Sequence, residues 1–307
     1  MADAALSTMW AIGRFPGLGA FFAAAGELGF DRVELNHAVT PAMLEGVSLE
    51  GVRIASIHEP CPAEISVHDL QDRDWLVSSP DEDNRRRAVA IARRSIDLAR
   101  SIGAGVVVIH VGRVNLDPAL QKAVVETYGQ GPSGAPEHRR AKDLLREARA
   151  DRAEVHMRSV RRSLLELAGY ASGRGVRLGV ENRDHYPEIP LADELDDLLS
   201  ADFGDAVGYW HDVGHAQVLE NLGFGAHRDW LRRFGDRILG VHLHDVDGIR
   251  DHRAAGQGGM DWDMVAGGIP EGALRTCEFR NDWSPEEVAS GLHHLVQKGC
   301  IMERRRS

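Results

Sequence analysis

Short apolar runs recur along the chain, and several stop at a carboxylate or an imidazole. They read VRIASIHEP (His58), VVVIHVGR (His110), VRLGVEN (Glu181), VGYWHDVGH (Asp212, His215), ILGVHLHD (His242, His244) and LRTCEFR (Glu278). Runs of this length, rich in Val, Ile and Leu, predict buried strands rather than helices. With Thr8–Ile12 and Arg32–Asn36 they give strands at Val52–His58, Val106–Val111, Val176–Asn182, Ala206–Asp212, Ile238–Asp245 and Ala273–Arg280. Amphipathic stretches lie between them: Leu18–Leu28, Asn84–Ile102, His138–Ser172, Leu191–Ser200, Arg228–Phe234 and Pro285–Lys298. Asp83 and Ser284 are candidate N-caps, and Gly29, Gly103, Gly173 and Gly299 are candidate helix ends.

Strands alternating with helices fit a doubly wound open sheet or a (β/α)8 TIM barrel. A dinucleotide-binding sheet needs a glycine-rich phosphate loop after its first strand, and AIGRFPGLGAFF does not match GxGxxG. In a barrel, active-site groups stand at the C-terminal strand ends, where these Glu, Asp and His residues fall. The expectation is one barrel domain over residues 1–307. A long Gly- and Pro-containing connection at about 112–137 leaves the strand bearing His110 and should overhang the pocket as a lid.

Composition narrows the partners. The 36 Lys and Arg against 47 Asp and Glu give a net charge of -11, which disfavours nucleic acid and anionic membranes. The longest apolar stretches, about six residues, fall far short of the roughly 20 that span a bilayer. No basic-then-apolar leader begins the sequence, so a cytoplasmic location is expected. The cysteines Cys61, Cys277 and Cys300 make neither a disulfide framework nor a zinc ribbon.

Six strand ends bearing Glu, Asp or His suggest one shared metal pocket. Carboxylate and imidazole donors without cysteine suit Mn²⁺, Zn²⁺, Co²⁺ or Fe²⁺. By period-two alternation Glu278 shares a face with Thr276 and Arg280, Asp212 with Trp210, His242 with His244, and Glu181 with Gly179. Trp10, Trp210 and Trp262 belong either to a sugar-binding wall or to the core. His244 reads as a deeper or supporting residue.

The ordered set GELGFDRVELN, SIHEP, VIHVG, GVEN, HDVGH, VHLHD, DHRAAGQGGMDW and EFR resembles the xylose isomerase-like barrel superfamily over nearly the whole chain. That superfamily includes sugar and ketose epimerases, inosose dehydratase and endonuclease IV. The resemblance implies a metal held by Glu181, Asp212, His242 and Glu278, with Glu181 and Glu278 exchanging a substrate proton through an enediolate. It implies His215, Arg183, Arg280, Glu34 and His252 as substrate-binding residues, and a small polyhydroxylated substrate for a homo-oligomeric sugar or sugar phosphate isomerase or epimerase. Endonuclease IV adds histidines on the third and fourth strands, where His58 and His110 stand, so metal-dependent phosphoester hydrolysis on abasic DNA is the alternative. Its further site uses a later Asp-x-His pair, where this chain has Asp251 and His252 adjacent. A barrel that has lost activity and serves only for binding is a third class.

Overall fold

The computed structural model describes residues 1–129, 135–201 and 203–303. Parallel strands β1 (Ala2–Ser7), β2 (Phe30–Leu35), β3 (Ile54–His58), β4 (Val106–Ile109), β5 (Arg177–Glu181), β6 (Val207–Asp212) and β7 (Ile238–Leu243) form most of a closed barrel. An antiparallel hairpin, β8 (Asp245–Asp247) and β9 (Arg250–Arg253), then interrupts the series, and β10 (Leu274–Cys277) closes the barrel between β7 and β1. The helices are α1 (Leu18–Glu27), α2 (Pro41–Glu45), α3 (Val67–Asp72), α4 (Glu82–Ile102), α5 (Pro118–Tyr128), α6 (Pro136–Ser172), α7 (Ala192–Ser200), α8 (Val213–Leu222), α9 (His227–Phe234), α10 (Trp262–Gly268) and α11 (Pro285–Gln297). The eight-stranded barrel with its helices is the (β/α)8 architecture the alternating pattern predicts. Among the described residues, no helix is long and apolar enough to cross a membrane.

The first strand lies earlier than expected. Thr8–Ala11 is a 3-10 turn capped by Ser7, whose hydroxyl accepts from the Met9 N–H, and Thr8 Oγ1 donates to Asn36 Oδ1 at 2.8 Å. The true strand, ADAALS, is half alanine, which carries little β signal. The cap of α4 is Asp81 rather than Asp83: its carboxylate accepts from the Asp83 and Asn84 N–H groups. Ser284 and Glu287 form the capping box of α11, as Ser284 suggested.

The 112–137 connection is not the extended loop expected. Asp117 caps helix α5, and α6 starts at Pro136. Part of the expected lid (residues 130–134) and most of the basic tail (residues 304–307) lie outside the described residues.

Alternation along the strands builds the pocket in layers. Two residues below Glu181, Asp212, His242 and Glu278 stand Gly179, Trp210, Gly240 and Thr276. Trp210 fills this lower layer, fully buried against Val106, Val108 and Leu239. A Cβ at Gly240 would overlap the Trp210 ring, and one at Gly179 would come to 3.1 Å from Trp210 Cβ. The indole therefore occupies space that two glycines leave, and it carries the His242 ring at 5.2 Å between centroids. Trp10 and Trp262 are buried as well, so none of these three tryptophans walls a sugar site. Gly240→Ala is expected to cost about 1–3 kcal/mol by overpacking, seen as a lower denaturant midpoint. An unchanged midpoint would mean that the barrel interior has slack.

Candidate metal centre

One donor atom from each of Glu181, Asp212, His242 and Glu278 lies within 4.8 Å of every other. Strand register brings them together: Asp212 and His242 are Cα partners across β6 and β7, and the Glu278 N–H bonds to the Leu243 carbonyl beyond β10. His242 Nδ1 is the hub, at 2.6 Å from Glu181 Oε1, 3.3 Å from Glu278 Oε2 and 3.5 Å from Asp212 Oδ2.

The supporting bonds orient these groups. His242 Nε2 faces Glu34 at 3.1 Å, and Ser56 Oγ donates to Glu34 Oε2 at 2.6 Å across the β2–β3 register. An imidazole that donates from one nitrogen to a carboxylate offers the other to a metal. Glu34, expected to bind substrate, is fully buried, and one donor atom each from Glu34, His58, His242 and Glu278 lies within 4.8 Å of the others. The side chain of Asn182, the residue after Glu181, fastens the Asp212 backbone: Nδ2 donates to the Asp212 carbonyl and Oδ1 accepts from its N–H. Asp212 Oδ1 caps α8 by accepting from the His215 N–H at 2.7 Å.

A second tier adjoins the first. His110 Nε2 lies 2.6 Å from Glu181 Oε2 and 2.9 Å from His58 Nε2, and one donor atom each from His58, His110 and Glu181 falls within 4.8 Å of the others. Arg183 donates to Glu181 Oε2 at 2.8 Å and reaches Glu188 Oε1 at 3.4 Å. His215 Nδ1 faces the Asn182 carbonyl at 3.0 Å, which makes it the donor and leaves Nε2 with a free lone pair. His252 stands between Asp251 (3.0 Å) and Glu278 (3.4 Å). Arg280, expected on the strand face, lies beyond β10; its half-exposed guanidinium pairs with Asp251, while its N–H donates to the His252 carbonyl.

The electrostatics demand positive charge. Glu34, Glu181, Asp212 and Glu278 are each at most 1% exposed, and isolated buried carboxylates are costly. Burial alone would raise the Glu181 carboxyl, but His110 and His58 outweigh it and hold it well below the ordinary range. Burial is outweighed likewise at Asp212 by His215 and His244, and at Glu278 by His242 and His252. Burial would lower His242, yet Glu278 and Glu34 raise it well above its usual value. Burial and then Arg183 lower His110 to about 4, against the pull of Glu181. The buried atoms Glu278 Oε1 and His58 Nδ1 have no hydrogen-bond partner among the described residues and stand 3.6 Å apart. Carboxylate and imidazole donors together with orphaned buried atoms, and no thiolate, fit a divalent cation. Glu181, Asp212, His242 and Glu278 could hold it, and His58 and His110 with Glu181 could hold another.

Above the centre opens a cleft of about 670 Å³, within the range that takes a small ligand. Arg183, His215, Asp251 and His252 line its inner side, and Arg113 and Lys122 its outer side. Pro118 and Gln121 of α5 also border it, so the described part of the insertion overhangs the pocket as a helix. Sequence reasoning missed Asn182, Arg113 and the place of His244, which lies past the end of β7 and nearer the mouth than His242. The pair Glu181-Asn182 in GVEN was the available signal for Asn182.

The family model described as xylose isomerase-like TIM barrel matches residues 22–297. The uncharacterized protein y4fM of Sinorhizobium fredii is 25% identical over 213 residues, which cover 67% of this chain and 54% of that protein; the match thus spans about half of the relative's length. Among solved structures, a D-tagatose 3-epimerase-like protein has a TM-score of 0.67 at 18% identity, covering 97% of both chains. An L-ribulose 3-epimerase has a TM-score of 0.65 at 18% identity, covering 98% of this chain and 94% of that one. The IolI protein with a bound zinc atom has a TM-score of 0.63 at 15% identity, covering 97% of this chain and 98% of that one. Likenesses at these identities speak for the fold alone, whereas the family model covers most of the sequence: the chain belongs to the xylose isomerase-like TIM barrel family.

Proposed function

We propose that the protein is a divalent-metal-dependent isomerase or epimerase acting on a small sugar or sugar phosphate. The observation that carries this reading is the convergence of Glu181, Asp212, His242 and Glu278 within 4.8 Å beneath a cleft that admits a small ligand. The sugar 3-epimerases that share the fold support the substrate class, and the zinc atom of the IolI protein supports a metal without fixing its identity among Mn²⁺, Zn²⁺, Co²⁺ and Fe²⁺.

A cation held by these residues would supply Lewis-acid polarisation of a substrate carbonyl, which would acidify the C–H on the adjacent hydroxyl-bearing carbon. Glu181 and Glu278 reach the centre from β5 and from the end of β10. One takes the proton from the substrate carbon, and the other returns a proton to it. The free Nε2 of His215 accepts a hydroxyl hydrogen, and Arg183 donates to hydroxyl or phosphate oxygens beside Glu181.

The test is deuterium incorporation in D₂O, followed by NMR, across free ketoses and sugar phosphates with each metal. Exchange at the carbon next to the carbonyl is the expected result. An absence of exchange with every metal and substrate would overturn the reading. The grouping of His58 and His110 with Glu181 favours a second reading, metal-dependent phosphoester hydrolysis. Cleavage of a duplex containing an abasic site, with several metals bound per chain, would establish it.

A further inference from the structure

The Asp212 carboxylate has a further imidazole partner beside the centre. His244 Nε2 lies 2.9 Å from Asp212 Oδ1 and 3.0 Å from Oδ2. Its other ring nitrogen, Nδ1, accepts from the backbone N–H of His252 at 2.9 Å. A nitrogen that accepts from a backbone N–H carries no proton, so the His244 proton sits on Nε2 and is donated to Asp212. This settles a choice left open by distance alone. Asp212, His215, His244 and His252 also converge within 4.8 Å, but His244 has no lone pair left for a cation in this arrangement.

The His252 end of this chain is fixed too. His252 adopts a left-handed backbone with φ 52°, uncommon for a residue other than glycine. Its carbonyl accepts from the Arg280 N–H at 3.0 Å and from Trp283 Nε1 at 3.1 Å. Its ring stacks on His244 with centroids 4.2 Å apart and planes 8° from parallel. On the opposite side the backbone of α8 makes room for the His244 ring at Gly214, where any Cβ would overlap the imidazole. The glycine of the HDVGH segment therefore has a steric reason beyond helix geometry.

We infer that His244 is a positioning residue for the metal centre: by donating to Asp212 it presents Oδ2 toward His242, in a slot that Gly214 leaves open. Asp212 Oδ1 already accepts from the His215 N–H, and Oδ2 is the oxygen facing His242 Nδ1. Hydrogen bonds behind a ligand fix its direction and raise its affinity for metal. The inference rests on the proposed role of Asp212 as a ligand.

The experiment is a Zn²⁺ titration of the full chain against a chromophoric chelator, with circular dichroism as a check on folding. His244→Ala is expected to weaken Zn²⁺ binding by about 10–100-fold. His244→Gln places an amide N–H where Nε2 was and is expected to stay within about threefold of the parent, whereas His244→Asn falls short of Asp212 and behaves like alanine. Gly214→Ala keeps the imidazole but pushes it aside, and it should reproduce the loss. Added to His244→Ala it should cost little more, because the two changes break one interaction. If His244→Ala misfolds, Gly214→Ala and the contrast of Gln with Asn decide. Parental affinity in His244→Ala or in Gly214→Ala would overturn the inference. A parent that binds no Zn²⁺ would instead overturn the reading of the centre itself.

Discussion

Glu181→Gln is expected to lose substrate deuterium exchange by about a thousandfold, within the span that a positioned acid or base contributes. The amide keeps the size of the side chain but can neither take a proton nor carry charge. Glu278→Gln should lose as much, since epimerisation needs both carboxylates. Both residues also stand among the candidate ligands, so metal content must be measured beside exchange. A variant that retains metal and loses exchange identifies the proton carrier; one that loses both identifies a ligand. Full exchange in Glu181→Gln would remove that residue from the proposed mechanism.

The second large effect concerns stability. Removal of the cation leaves Glu34, Glu181, Asp212 and Glu278 buried together, balanced only by imidazoles and Arg183. A ligand present at 1,000 times its dissociation constant stabilises the native state by about 4 kcal/mol, which for a chain of this size is on the order of 5–10 °C in Tm. A chelator should therefore lower Tm by that amount, and readdition of Mn²⁺ or Zn²⁺ should restore it. An identical melt with and without chelator would favour a barrel without a functional metal.

The candidate ligands were legible because each interrupts an apolar strand at a place where the barrel forms its pocket. Strand order and alternation put Glu181, Asp212, His242 and Glu278 at one end of the barrel, and the family resemblance singled them out as the ligand set. What the pattern left open has physical causes. Glu34 terminates a strand as the others do, and only the structure shows its carboxylate held between His242 Nε2 and the Ser56 hydroxyl. His244 was read as a deeper or a supporting residue, and the deeper place falls because β7 ends at Leu243 and the chain then bends into the hairpin. That hairpin was invisible to an apolar pattern, since DVD and RDHR are mostly charged. The loop after it is fastened by Asp245, which accepts from the N–H groups of Gly256 and Met260 and from the indole of Trp262. No local propensity announces such long-range bonds. Helix α5 was hidden because glycines and prolines flank it, and its N-cap Asp117 went unread.

The tryptophan plug closes one end of the barrel. With Trp210 wedged between Gly179 and Gly240, the metal centre opens, among the described residues, toward the face that α5 borders. On the proposed reading, a substrate would enter and its product would leave by that same face, one molecule at a time.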